Sequence, residues 1–261
     1  FNEILNNSLS KQSYYQGDDY NAYTWANTAK VMNPLSADLG VMRQTLLFGG
    51  LESLVRNINR KRTNLKFFEY GNVYRYDPEK DDHDASIKAY TQEYHLGLWI
   101  TGKRIEGSWA HPDEPTSFYE LKAYVENILL RAGVSKGMIV SEKTENNIFA
   151  YGLTLRNRGG KVLVEFGQLA KKVLHAFDID NDVYYAEINW ASILKAIKKN
   201  KVEFTELNKF PIVSRDLALL LDDNVEFAQI EQIAFQTEKK LLKRVELFDV
   251  YQGKNLPAGK K

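Results

Sequence analysis

The sequence predicts an α+β chain in two units, a large one followed by a small strand–helix–strand piece. Three observations carry this. Tyr94, Leu96, Leu98 and Ile100 alternate strictly, the period of a half-buried strand. Leu47, Leu51, Leu54 and Ile58 step by four, three and four, the period of a helix with one buried stripe. Composition then changes near 198–209, where the basic run Lys198-Lys199-Asn200-Lys201 gives way to Phe210-Pro211 and the apolar stretch 217–221.

Taken in order, residues 1–9 read as a short strand running into a polar loop. Residues 10–32 are rich in Tyr, Asn, Asp and Ser and show no clean period. Asn33-Pro34-Leu35-Ser36 is loop punctuation. A helical pattern starts at Val41 and closes on Arg60-Lys61-Arg62, with Lys66 nearby. Cations suit the negative end of a helix dipole, so this cluster reads as a solvated helix end. Residues 65–76 are strand material with a turn at Tyr70-Gly71-Asn72, and an acidic loop follows over 77–82. The strand around 94–100 turns at Gly102-Lys103-Arg104. Ser117 and Glu120 form a capping box ahead of the stripe Phe118, Leu121, Val125, Ile128 and Leu129, which Gly133 stops. Arg158-Gly159-Gly160 between 151–156 and 161–166 signals a hairpin. One more strand covers 186–189 and a short amphipathic helix 190–199. The second unit reads as a strand at 217–221, a helix over 225–243 and a strand at 245–250. Three elements in roughly fifty residues make a poor core, so this unit reads as truncated.

Composition excludes several classes. A hydrophobic fraction of 44% and a charged fraction of 26% are those of a globular chain, not a disordered tail, a collagen or a disulfide scaffold. There are 0 cysteines, so thiol nucleophiles, zinc–thiolate sites and disulfides are out. With 35 Lys and Arg against 34 Asp and Glu, the net charge is +1. No global field draws the chain to nucleic acid or an anionic membrane, and any such binding needs a local patch. No run reaches the roughly 18 apolar residues that span a bilayer, and the first residues lack a signal-peptide pattern. A cytoplasmic, non-membrane protein is expected. The chain starts on Phe1 without Met, so it reads as a piece of a longer protein or a processed one.

Phosphate-loop and nucleophile-elbow motifs are missing. His83, His95, His111 and His175 include no pair at metal-ligand spacing, and no metal site is expected. His95, opposite in parity to Leu96 and Leu98, reads as exposed or lightly packed rather than catalytic. Tyr14, Tyr15, Tyr20, Tyr23 and Trp25 follow no period. They are either a contact surface for a partner chain or a packed loop.

The stretch Phe67-Phe68-Glu69-Tyr70-Gly71-Asn72-Val73-Tyr74-Arg75-Tyr76-Asp77 resembles the second signature motif of class II aminoacyl-tRNA synthetases. In that family a strand–loop–strand carries an Arg that holds the ATP α-phosphate and the amino-acid carboxylate. A fixed cation is needed because negative charge builds there as the adenylate forms. The resemblance puts Arg75 in that role and Asp77 where the family usually has Glu. Residues 1–7 resemble the strand of the first motif, with Asn7 in place of its usual Pro. The third motif, a Gly-rich strand-to-helix segment with an Arg for the γ-phosphate, has no match before residue 205. Gly159-Gly160 belongs to a hairpin turn.

A narrower resemblance covers nearly the whole chain. Asn33-Pro34-Leu35-Ser36, Met42-Arg43-Gln44-Thr45-Leu46-Leu47, Gly50-Leu51 and the 65–77 stretch are similar to the β-subunit family of bacterial phenylalanyl-tRNA synthetases. So are Trp109 and Phe118-Tyr119-Glu120-Leu121-Lys122. Phe210-Pro211-Ile212-Val213-Ser214-Arg215-Asp216-Leu217-Ala218 and Leu247-Phe248-Asp249-Val250-Tyr251-Gln252-Gly253-Lys254 resemble the family's ferredoxin-like anticodon-binding domain.

This resemblance implies that residues 1–205 form a catalytic-like core, an antiparallel sheet flanked by helices, that has no catalytic residue. It would pack on a catalytic α subunit within a heterotetramer. Residues 208–261 would be the first half of the ferredoxin-like domain. ATP and magnesium would serve the whole enzyme, with no cofactor in this piece. Arg75 and Asp77 would be a vestigial nucleotide site, or Arg75 would pair with Asp77 or another acid on its strand face. Arg215, Lys239, Lys243 and Arg244, with Lys240, would contact tRNA. Alternatively Arg215 and Asp216 form an ion pair and the lysines a solvated helix end. Two rivals remain. A working ATP-dependent ligase is favoured by Arg75 and opposed by the missing third motif. A stand-alone RNA-binding module is opposed by the +1 charge.

Overall fold

One sheet organises the first unit. In the computed structural model, which describes all residues except 18–19, 82–86, 202–203, 205, 207–208, 252–255 and 258, the chain divides into Phe1–Val202 and Glu203–Lys261. The first unit runs β1 (Asn2–Glu3), β2 (Leu9–Ser10), β3 (Val41–Met42), α1 (Leu47–Ile58), β4 (Leu65–Tyr76), β5 (Tyr90–Thr101), β6 (Lys103–Ile105), β7 (Glu114–Pro115) and α2 (Phe118–Ala132). It continues with β8 (Ile139–Lys143), β9 (Phe149–Asn157), β10 (Val162–Leu169), α3 (Lys171–His175), β11 (Val183–Asn189) and α4 (Trp190–Ile197). Seven strands join in the order β1-β4-β5-β11-β10-β9-β8. All neighbours are antiparallel except β1 and β4, which are parallel. The sheet expected to be antiparallel is therefore mixed. The direction of β1 is set just beyond it, where Asn6 gives both its backbone N–H and its amide Nδ2 to Glu69 of β4.

The strand period divides the core in two. On one face Phe67, Trp99 and Tyr185 lie side by side across β4, β5 and β11, under Leu47, Phe48, Leu51 and Leu54 of α1. On the other face Leu98, Ile100, Ala186 and Ile188 meet Leu121, Val125 and Leu129 of α2 and Ile193 of α4. Each Leu, Ile, Val or Phe among them contributes roughly 1.5–3 kcal/mol on leaving water.

Local corrections have local causes. The helix expected from Val41 starts at Leu47, because Arg43 and Thr45 are committed to a buried polar network described below and Gln44 Nε2 donates to Thr24 O and Thr28 Oγ1. Gly71 makes no turn, and β4 runs unbroken for 12 residues. The glycine is needed because Arg43 crosses it: a Cβ there would stand 2.1 Å from Arg43 Nη2. Ser117 Oγ accepts from Glu120 N–H, but Glu120 does not reach back, so only half of the expected capping box forms. Its carboxylate takes Lys66, Thr116 and Tyr124 instead. Gly133 does close α2, in the left-handed region at φ 91°.

In the second unit, α5 (Phe227–Thr237) starts with a reciprocal capping box between Glu226 and Gln229. The strands expected at 217–221 and 245–250 form no ladder among the described residues. Only an isolated bridge pairs Asp222 with Lys260. A strand exists through its neighbours' hydrogen bonds, and here Leu217, Leu220 and Phe248 stay exposed with no face to bury. The helix stops at Thr237 rather than 243 because Glu238 turns extended and its carboxylate accepts the N–H groups of Lys240 and Leu241.

Candidate functional site

Arg75 lies one residue before the end of β4, exposed and opposite Thr91. Asp77 follows the strand and accepts from Glu79 N–H at 3.2 Å and from Lys80 Nζ at 2.6 Å. The Lys80 bond holds its carboxyl below the usual carboxylate range. Asp77 is thus taken by Lys80, and Arg75 makes no ion pair with it or with any other described residue. The two residues are close in sequence, but the structure does not couple them.

By strand parity Arg75 shares the α1 face with Glu69, Gly71 and Val73. One rung of that face reads Glu69, Gly97, Glu187 and Glu165 across β4, β5, β11 and β10. Arg43 and Glu69 form a buried ion pair at 2.7 Å, and Arg43 Nε donates to Asn72 O at 2.9 Å. Glu187 receives Thr45 Oγ1 and, at 2.6 Å, the Tyr185 hydroxyl. His95 Nδ1 stands 2.7 Å from Glu187 Oε1, and Nε2 stands 3.6 Å from Glu93 Oε2. The second distance is an ion pair but too long for a hydrogen bond. His95 is therefore neither exposed nor lightly packed, since its parity turns it onto two carboxylates. Burial works against its charge, but the Glu187 and Glu93 contacts outweigh burial and raise it to about 9. Glu93 falls to about 2 through the His95 contact. Burial would raise Glu187, yet His95, Thr45 and Tyr185 together lower it. This network escaped sequence reading. The only local signal was a Glu in an otherwise apolar strand.

Toward the other end of this face, eight residues down β4 from Arg75 at the Phe67–Trp99 rung, the sheet is covered. Trp99, Tyr185, Phe48, Tyr15 and Tyr23 are all buried there. Rings of Tyr14, Tyr15, Tyr20, Tyr23 and Phe177 surround Phe48 with centroids 4.7–6.2 Å away. Tyr14, Tyr15, Tyr20 and Tyr23 are thus packed against the core, as the packed-loop alternative expects. A Cβ on Gly50 would stand 2.1 Å from Trp99 Cε2, so helix and sheet touch without spare room.

The strand-to-helix segment next to β5 is β11–α4, and residues 183–197 contain neither Gly nor Arg. Asn189 caps α4 through Ser192 N–H at 2.8 Å, and Trp190 packs edge-on against Tyr70. The topology is present without the Arg of the third motif, and the segment's one cation, Lys195, lies in the last turn of α4. A cleft of about 590 Å³ opens on the opposite sheet face, lined by Phe68, Tyr70, Tyr124 and Trp190, away from Arg75. Among the described residues no three His, Asp or Glu groups could hold a metal ion, and no helix is long and apolar enough to cross a membrane. His83 lies outside the described residues.

In the second unit Arg215, Lys239, Lys240, Lys243 and Arg244 are exposed. Arg215 Nη1 meets Ser214 O at 3.5 Å, and the expected Arg215–Asp216 ion pair is not formed. The four other cations follow α5 rather than ending it, because the chain leaves the helix at Glu238. Arg244 pairs with Glu246 at 3.0 Å, and Lys243 Nζ donates to Lys240 O at 3.1 Å.

The comparisons bear on this architecture. The family model of the phenylalanyl tRNA synthetase beta chain CLM domain matches residues 1–190. The chain belongs to this synthetase beta-chain family. The ferredoxin-fold anticodon binding domain matches residues 208–261 of this beta-chain family member. Phenylalanine–tRNA ligase beta subunits of Bacteroides thetaiotaomicron and Porphyromonas gingivalis are 57% and 48% identical to it over 261 residues. Those matches cover 100% of this chain and 32% of each relative, so the beta-chain segment spans about a third of the curated relatives' length. A crystal structure of pyrrolysyl-tRNA synthetase from Desulfitobacterium hafniense aligns with TM-score 0.54 at 14% identity, over 76% of this chain and 63% of that one. This shows that the beta-chain unit shares a synthetase fold.

Proposed function

We propose that the chain is the catalytic-like and anticodon-binding portion of a phenylalanine–tRNA ligase β subunit. It scaffolds the catalytic α subunit in a cytoplasmic heterotetramer and contacts tRNA while the whole enzyme joins phenylalanine to tRNA with ATP and magnesium. Residues 1–205 act as the non-catalytic core and 208–261 as part of the anticodon-binding domain.

The observation that carries this reading is that Arg75 lacks the partners of a nucleotide site: Asp77 is held by Lys80, and β11–α4 contains no Arg. A nucleotide needs open volume and cations at both ends of its phosphates. Here Arg75 stands at one end, and β11–α4 supplies no Arg for the other. Arg75 and Asp77 are then remnants of a site, with Asp77 held by Lys80. Arg215, Lys239, Lys243 and Arg244 supply exposed charge for an RNA backbone, a contact that needs only cations within reach.

The test is calorimetric titration of the full-length β subunit, without α, by ATP and magnesium. No saturable heat is expected, and aminoacylation should appear only when α is added. Saturable heat that vanishes in Arg75→Ala would overturn the non-catalytic assignment and favour a ligase with its own nucleotide site.

A further inference from the structure

The end of α1 carries charge that the reading above does not use. Arg56, Arg60, Lys61 and Arg62 are all exposed, and none pairs with a described acid. The nearest helical acid, Glu52, is already held by Tyr14 and Lys11. The helix closes by Lys61 N–H to Ile58 O at 2.8 Å and Arg62 N–H to Asn57 O at 3.1 Å. This closure places Lys61 in the left-handed region at φ 65°. Glycine takes that position without steric cost, and a lysine there is strained.

The adjoining corner behaves differently. The turn at Gly102 abuts Thr63 and Asn64, and its cations are neutralised: Lys103 by Asp113 at 2.7 Å and Arg104 by Glu114 at 3.9 Å. Glu106 is engaged by Asn64. Acids thus accompany the cations on one side of this corner and not on the other. With a net charge of +1, the field of Arg56, Arg60, Lys61 and Arg62 is local.

We infer that Arg56, Arg60, Lys61 and Arg62 form an electropositive corner of the first unit that binds the phosphate backbone of RNA. The inference rests on the tRNA-contacting function proposed above and adds a contact outside the anticodon-binding unit. A purely structural role at the helix dipole makes a different prediction, because removing those cations would then lower stability.

The test uses the full-length β subunit assembled with α. Phenylalanine-accepting tRNA is titrated at several salt concentrations against the parent and against Arg60→Ala/Lys61→Gly/Arg62→Ala. The variant should bind about tenfold more weakly at low salt, with a log–log salt slope shallower by about 2. Its Tm should not fall, since Lys61→Gly removes left-handed strain. Lys103→Ala, which removes a paired cation, should leave the slope unchanged. Unchanged affinity and slope in the triple variant, with the parent binding normally, would overturn the corner and leave the tRNA function standing. So would a variant that keeps its RNA affinity but loses assembly with α, which would mark the corner as a protein contact. A parent complex that binds no tRNA would overturn the tRNA function and this inference with it.

Discussion

His95 Nδ1 and Glu187 Oε1 are 2.7 Å apart, on adjacent strands and 92 residues apart in sequence. The pair sits on the sheet face that Arg75 shares, and Glu187 also receives Thr45 just before α1. One ionic contact therefore ties β5, β11 and the start of α1 together.

His95 should be an imidazolium in the folded protein. Its folded value is raised from 6.5 to about 9, so its stabilisation is complete below about pH 6.5 and is lost as pH rises through about 9. His95→Gln leaves Glu187 buried without its cation and should cost about 3 kcal/mol at pH 6. Urea unfolding at pH 6 and pH 10 checks this: the gap between parent and variant should shrink at pH 10. An NMR titration midpoint at or below 6.5 would contradict it.

Arg43 and Glu69 are both buried, and each depends on the other for charge balance. Arg43→Ala or Glu69→Ala alone should cost about 3–5 kcal/mol. Replacing both by apolar residues of similar volume should recover much of that loss. Equilibrium unfolding of the singles and the double gives the coupling.

Gly50→Ala drives a methyl into the Trp99 ring. No flexible chain end can yield there, because Trp99 and Tyr185 are packed on each other at 5.2 Å. The expected cost is about 2 kcal/mol, read as a lower Tm together with a change in tryptophan fluorescence.

Glu120 accepts from Lys66 and Thr116, each at 2.6 Å. Burial would raise its carboxyl, but these bonds lower it below the ordinary 4.5. Its contribution is present above about pH 4.5 and fades as pH falls further. Glu120→Gln should therefore destabilise at pH 7 by about 1–2 kcal/mol, and the gap to the parent should narrow at pH 3. A gap independent of pH would show that the carboxylate charge is not involved.

Local chemistry was enough for the elements whose signals are local. The strand at Tyr94–Ile100, the turn at Arg158-Gly159-Gly160 and the stop at Gly133 all stand in the fold, because each depends on the period or backbone freedom of a few adjacent residues, although the strand is buried on both faces over Leu96–Thr101 rather than half-buried. The same local view misjudged Gly71 and Glu120, whose partners Arg43 and Lys66 come from other parts of the chain.

By itself, then, the sequence determined the strand and helix periods, the absence of thiol chemistry and the family to which the motifs point. Tertiary structure gave Asp77 to Lys80 and decided how the far end of the sheet face that carries Arg75 is covered. The parity of Arg75 was legible, but the filling of that far end by Trp99, Tyr185, Phe48 and the 14–25 loop was not. The pairing of Glu187 with His95 was equally hidden. Side-chain period says which residues share a face, whereas register between distant strands says which faces meet, and only the folded sheet sets that register.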